Sequence, residues 1–286
     1  MRTSARRPGH LQRRFAPIAL LMAMLLTVGA AVSVIAERSG RHGGSERMTS
    51  EEFPTAPPLV AGPLPPSADP SPSGPPVGAP SPTPVLRLAG AVPTAGSGRF
   101  GYDHRTGPVL GRAGDLQHYR VAVESGSGED AAAFGQVVQA ALTGPGSWVD
   151  SGRLRLQQVP EGSAQNFTVY LATARTAGRM CADGGVNISI GGRPYTSCRA
   201  PGRVIINLDR WRLSVPHYVQ AGVPLSVYRT YVVNHEVGHQ LGHRHERCPG
   251  AGRPAPVMMQ QTLFLDGCRV NPWPYVDGRR YAGPAL

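Results

Sequence analysis

The sequence predicts an α+β domain over residues 99–286, with a long helix near its centre of chemistry and a loop-rich C-terminal part. Three observations predict it. Stretches that alternate apolar and polar residues are interleaved with runs at helical spacing, which places strands and helices in one domain. One helical run, residues 225–241, is long and ends in a histidine-rich string. Beyond that string the chain is rich in proline, glycine and short polar clusters, the composition of loops.

Residues 1–36 form an export segment. Arg2, Arg6, Arg7, Arg13 and Arg14 precede an uncharged apolar run from Phe15 to Ala36, which holds the N terminus in the cytoplasm and sends the remainder across the membrane. The run is long enough to span a bilayer and favours an uncleaved transmembrane anchor, whereas Val34-Ile35-Ala36 offers the small residues of a cleaved signal peptide. Both readings stay open. Phe15 directly after Arg14 fits a twin-arginine signal poorly, so Sec export is expected. Either way the domain is extracytoplasmic, membrane-anchored or secreted.

Residues 37–98 read as a disordered Pro/Ser/Gly-rich linker, with 13 prolines between Pro54 and Pro84. Such a stretch buries too little apolar surface to offset its ordering entropy, and proline favours extended geometry. A spacer of this kind would carry a domain through a cell-wall layer. The 188 residues from Arg99 onward then make one domain of ordinary size.

Within the domain, Leu116–Glu124 alternates like a strand, and residues 129–142 carry Phe134, Val137, Val138 and Leu142 at helical spacing. Residues 154–159, 167–173 and 203–208 read as further strands. Residues 225–241 form the long helix, with Pro224 near its start and Gly242 at its end.

The chemistry is concentrated in residues 235–245, which read H-E-x-x-H-x-x-G-x-x-H. On a helix His235 and His239 lie one turn apart on one face and can offer two imidazole nitrogens to one metal ion. Glu236, beside the first ligand, can reach a water at the metal without being a ligand itself. Zinc lowers the pKa of such a water to roughly 7, and a carboxylate nearby can take its proton.

Both His243 and His245 could be the third ligand. A continued helix would carry His243 about 12 Å along the axis from His235, too far for bonds of about 2 Å to one ion. Gly242 resolves this, because glycine adopts the left-handed conformation that ends helices and turns the chain back. His245 then swings under the metal, leaving His243 exposed or behind the ligands. Three histidines and one open position describe a catalytic rather than a closed structural zinc site.

This string is similar to that of the metzincin clan of zinc endopeptidases. The resemblance implies a mixed sheet, a long active-site helix, a loop-rich C-terminal subdomain and a methionine turn beneath the metal. Pro256-Val257-Met258-Met259-Gln260 supplies the turn, with Met258 the better match and Met259 the fallback. Glu246 follows the third histidine as in the astacin branch, where it is buried near the mature N terminus. Gln260 stands where several branches carry a tyrosine. The segments His243–Pro249, Ala255–Gln261 and Gly267–Pro274 further resemble an uncharacterised family of secreted actinobacterial domains with a metzincin-like core. The activity implied is hydrolysis of a peptide or protein substrate.

Cys181, Cys198, Cys248 and Cys268 are even in number in an exported chain, so disulfides are expected. Three pairings are possible. Nearest-neighbour pairing would let Cys248–Cys268 close the loop from the third histidine to just past the methionine turn. No C-x-x-C spacing exists to suggest cysteine ligation of zinc. His104, His118 and His217 read as surface or satisfied side chains, and Trp273 and Tyr275 as packing residues.

All 29 basic residues of the chain are arginine. The domain holds 20 arginines against 13 acidic residues, scattered rather than clustered, and no nucleic-acid motif accompanies them. An anionic wall polymer or membrane surface is the partner this charge suggests, beside the alternative of a merely solvated basic surface. Oligomeric state leaves no sequence signal. A rival to the peptidase reading is a non-catalytic cell-envelope binding module stabilised by zinc.

Overall fold

The computed structural model describes residues 83–286; the export segment and the linker up to residue 82 lie outside the described residues. Its architecture is α+β with a mixed sheet. The strands in chain order are β1 (Phe100–Tyr102), β2 (Val109–Leu110), β3 (Asp115–Glu124), β4 (Leu154–Gln158), β5 (Phe167–Ala172), β6 (Ser189–Ile190), β7 (Arg193–Pro194), β8 (Cys198–Ala200), β9 (Arg203–Asn207), β10 (Tyr275–Val276) and β11 (Arg279–Arg280). The helices are α1 (Ala131–Thr143), α2 (Ala174–Asp183), α3 (Leu208–Leu213), α4 (Pro216–Gln220) and α5 (Leu225–Gln240). Among the described residues, no helix is long and apolar enough to cross a membrane.

The main sheet runs β2-β4-β3-β5-β9-β8. β3 is its longest strand and pairs in parallel with β4 through Asp115–Tyr119 and with β5 through Tyr119–Val123; its end pairs antiparallel with β1. β5 continues in parallel to β9, and β8 closes that side as an antiparallel edge strand. Alternation decides which side chains go where. Phe167, Val169 and Leu171 of β5 and Val204 and Ile206 of β9 enter the large core, with Phe134, Val138 and Leu142 of α1 and Tyr228, Tyr231 and Val232 of α5. Ala172 and Ile205 face the opposite side, where they pack with Ala177 and Cys181 of α2.

α1 begins where the Asp130 carboxylate accepts the Ala133 amide at 2.8 Å and ends before Gly144. α2 has no such local start. Its N terminus is capped from a distance by Glu124 at the end of β3, whose carboxylate accepts from the Thr173 amide, the Thr173 and Thr176 hydroxyls and the Gly98 amide at 2.7–2.8 Å. No local cap marks the start of this helix, because its capping carboxylate lies about 50 residues upstream.

The same carboxylate fastens residues that composition assigns to the linker. Residues 83–98 run along the domain, with Leu225 N–H donating to the Val85 carbonyl, Leu88 N–H to Arg212 O and Arg175 N–H to Thr94 O. Backbone bonds, the Arg212 guanidinium on Ala89 O and Val92 packed against the main core carry this attachment.

Both disulfides join nearest neighbours, Cys181 to Cys198 and Cys248 to Cys268, as an oxidising compartment supports. The first ties α2 to β8. The second closes the loop after His245 over residues 254–259.

Burial pushes the Glu124 carboxyl up, but its four hydrogen bonds outweigh burial and hold it below the usual value. A carboxyl depressed in the folded state contributes stability above its unfolded pKa and loses it as pH falls. Glu124→Gln should therefore lower thermal stability at pH 7, by about 2–3 kcal/mol. The gap from the unsubstituted protein should narrow below about pH 4, as calorimetry across pH would read.

Candidate metal centre

α5 carries Tyr231, Asn234, His235, Glu236 and His239 into the space between the sheet and the C-terminal loops, and its sides are almost wholly buried. Its end follows from Gly242. The His243 amide donates to Gly238 O and the Gly242 amide to His239 O, the two reversed bonds of a Schellman turn. Gly242 has φ +93°, a value costly for any residue with a Cβ, and no atom lies within 4 Å of where one would stand. The chain doubles back, and His245 reaches His235 and His239.

The ligand atoms of His235, His239 and His245 all lie within 4.8 Å of one another. Each helical imidazole is oriented by a carbonyl. Nδ1 of His235 lies 2.8 Å from Val257 O, and Nδ1 of His239 lies 2.8 Å from His243 O. A carbonyl only accepts, so Nδ1 carries the hydrogen and Nε2 turns a lone pair inward. Nε2 of His239 faces Nε2 of His245 at 3.1 Å, close to the about 3.3 Å that two bonds of about 2.05 Å subtend at a tetrahedral ion. The donor set fits a divalent cation, and these three histidines could hold a metal ion.

Burial is the first cause of the histidines' low pKa values. It pushes His235 well below the usual range and His245 down to about 4, aided in both by neighbouring His239. For His239 burial outweighs the hydrogen bond to His243 O, and the Arg199 guanidinium lowers it further. Neutral imidazoles are what a metal requires. Glu236, 5% exposed, has its carboxyl raised to about 8 by burial alone; a cation bound beside it would pull that value down.

The methionine loop lies against the helix. A Cβ on Gly238 would collide with Met258 Sδ and stand 2.7 Å from Trp148 Cζ2, so any larger residue before His239 would push these side chains away from the helix. Met259 packs elsewhere, with Ala255 and Cys268, and its carbonyl accepts the Tyr231 hydroxyl at 3.0 Å. His243 stacks on Trp148 at 4.4 Å between ring centroids, behind the ligands rather than among them. Glu246 pairs with Arg280 at 2.8 Å.

Sequence reasoning missed three residues that hold this arrangement. Trp148 donates from Nε1 to Asn234 O at 2.8 Å, next to the first ligand. Gln261, fully buried, accepts from the Tyr218 hydroxyl and the Asn271 amide and donates to Pro256 O and Asn271 O. Arg199 lines the cleft over the histidines. No motif marks them, since each is defined by a partner distant in sequence. Of the other histidines, His217 lies 2.9 Å from Gln261 O and is satisfied. Trp273 fills the space beside Gly144 and, with Tyr275, lies away from the cleft.

The cleft holds about 500 Å³ and is walled by residues 186–188, Thr196–Arg199, the α5 face and Gln260, Thr262 and Leu263. Gly242→Ala should cost about 1–2 kcal/mol and weaken zinc affinity, because strain at a positive φ falls on the turn that delivers His245. Denaturant titration with and without zinc would read both effects. Equal affinity in the variant would dissociate the turn from metal binding.

Residues 86–276 match the sequence pattern of one family, whose description is Protein of unknown function (DUF3152). No curated protein matches the chain, and no solved structure does. The match spans the main sheet, the five helices of the described residues and the three histidines, and the chain belongs to that DUF3152 family.

Proposed function

We propose that this chain is an exported zinc metallopeptidase of metzincin type that hydrolyses peptide bonds. The observation that carries the reading is the conjunction at one cleft of three converging imidazoles with a buried carboxylate, Glu236, that is not among them. A structural zinc site uses four protein ligands and needs no such acid. Gly238 under Met258 and the reversal at Gly242 support the metzincin resemblance further.

His235, His239 and His245 would hold the metal. Zinc, when bound, supplies Lewis acidity, lowering the pKa of a water and polarising a peptide carbonyl. Glu236 takes a proton from the attacking water, whose oxygen bonds to the carbonyl carbon. When the C–N bond breaks, Glu236 returns that proton to the leaving nitrogen, giving a carboxylic acid and an amine. Burial of Glu236 keeps bulk water from competing for the proton. The domain's excess of arginine would favour a location on an anionic wall or membrane surface.

Purified protein should contain one zinc per chain and cleave a proteome-derived peptide library, with cleavage abolished by a chelator and restored by zinc. Glu236→Gln should keep the zinc and lose about 10²–10⁴-fold in turnover. Undiminished turnover in that variant removes the base from Glu236. Zinc without any turnover in the unsubstituted protein would favour a zinc-stabilised binding module of the cell envelope.

A further inference from the structure

The cleft over the three histidines is unbalanced in charge. Among its lining side chains Glu236 has the single carboxylate, whereas Arg199 and Arg244 both contribute guanidinium groups. Arg244 is exposed, while Arg199 is half-buried. Arg199 stands on edge strand β8, paired with Val204 of β9, and follows Cys198, which the disulfide ties to α2. Its place is therefore fixed from the backbone outward.

Its side chain is fixed as well. Nε donates to Gln240 Oε1 at 3.1 Å, at the last residue of α5 and next to His239. Gln240 is neutral, and no carboxylate of a described residue lies within 4.0 Å of the Arg199 guanidinium. Its terminal N–H groups make no hydrogen bond to a described residue. A held guanidinium with its fork unspent presents the planar donor pair that carboxylates match bidentately. It also stands beside a site for a second cation, where like charges repel unless an anion joins them.

We propose that Arg199 is a specificity residue that binds an acidic side chain of the substrate, so that the cleft selects acidic peptides. The proposal rests on the peptidase reading above. Glutamate or aspartate near the bond to be cut would place its carboxylate on the Arg199 fork, and the exposed Arg244 would add long-range attraction for the same sign of charge.

The test uses full-length, zinc-loaded protein and peptides acetylated and amidated at their ends, identical except for Glu, Gln or Lys at one position. Turnover is compared in the unsubstituted protein, Arg199→Gln and Arg199→Glu. Binding is measured by fluorescence anisotropy in Glu236→Gln and in the double variant Glu236→Gln/Arg199→Gln. The Glu peptide should exceed its Gln counterpart by at least about tenfold in kcat/KM and in affinity. Arg199→Gln should erase that ratio and Arg199→Glu should turn it towards Lys, with zinc content unchanged. A merely structural Arg199 would lower all three peptides together, and that result, or equal handling of Glu and Gln by the unsubstituted protein, overturns the proposal. Absence of turnover with every peptide counts against the peptidase reading instead, and the anisotropy ratio then decides the role of Arg199.

Discussion

The reversal of the chain at Gly242 is the constraint from which the metal centre follows. Two imidazoles on one helical face can share an ion, but no straight helix brings a third to the same point. A left-handed residue at the helix end does so at little cost only when that residue is glycine. The reversal also satisfies backbone groups that a helix end leaves bare, and it puts the His243 carbonyl against His239 Nδ1. Turn geometry and ligand orientation are thus one feature. His235 is oriented independently, by Val257 of the loop below, so the metal centre depends on α5 and that loop keeping their distance.

The distance is kept by packing of Val257 and Met258 into the core that α5 lines, by the Cys248–Cys268 disulfide and by hydrogen bonds. The chain beyond His245 has little regular structure; Val257 and Met258 join the large core, while Ala255, Met259 and Cys268 form a small separate cluster. Gln261 and Asn271 satisfy the carbonyls of residues 255, 256, 271 and 273, while Tyr228 and Tyr231 of α5 reach down to Thr262 and Met259. Each bond contributes about 1 kcal/mol net, but leaving one of these buried groups unpaired costs about 1–3 kcal/mol. Glycine at 238 leaves room for Met258 and Trp148 to sit against the helix without displacement.

The periodic elements were legible in the sequence. β3, β4, β5 and β9, α1 and α5 lie within one or two residues of the expected ranges, because each is marked by local apolar spacing or an apolar run. The convergence of His235, His239 and His245 was legible too, since spacing and a glycine dictate it. What escaped depends on partners remote in sequence. α2 is capped by Glu124, residues 83–98 are attached by backbone groups, and Trp148, Arg199 and Gln261 act through contacts that no local pattern encodes. The pairing of Glu246 with Arg280 belongs to the same class: the resemblance named no partner for Glu246 in this chain, and the structure supplies a guanidinium from β11.

The bond from Leu225 to the Val85 carbonyl joins the first residue of α5 to the stretch that leads into the domain. A helix opens with amide groups that lack intrahelical acceptors, and here one of them is answered by chain 140 residues earlier. A mechanical load arriving along residues 83–98 would therefore be felt at the root of the ligand-bearing helix before it reached the sheet. Resistance to such pulling resides in the backbone bonds of that stretch together with the Arg212 guanidinium on Ala89 O and the Glu124 carboxylate on the Gly98 amide.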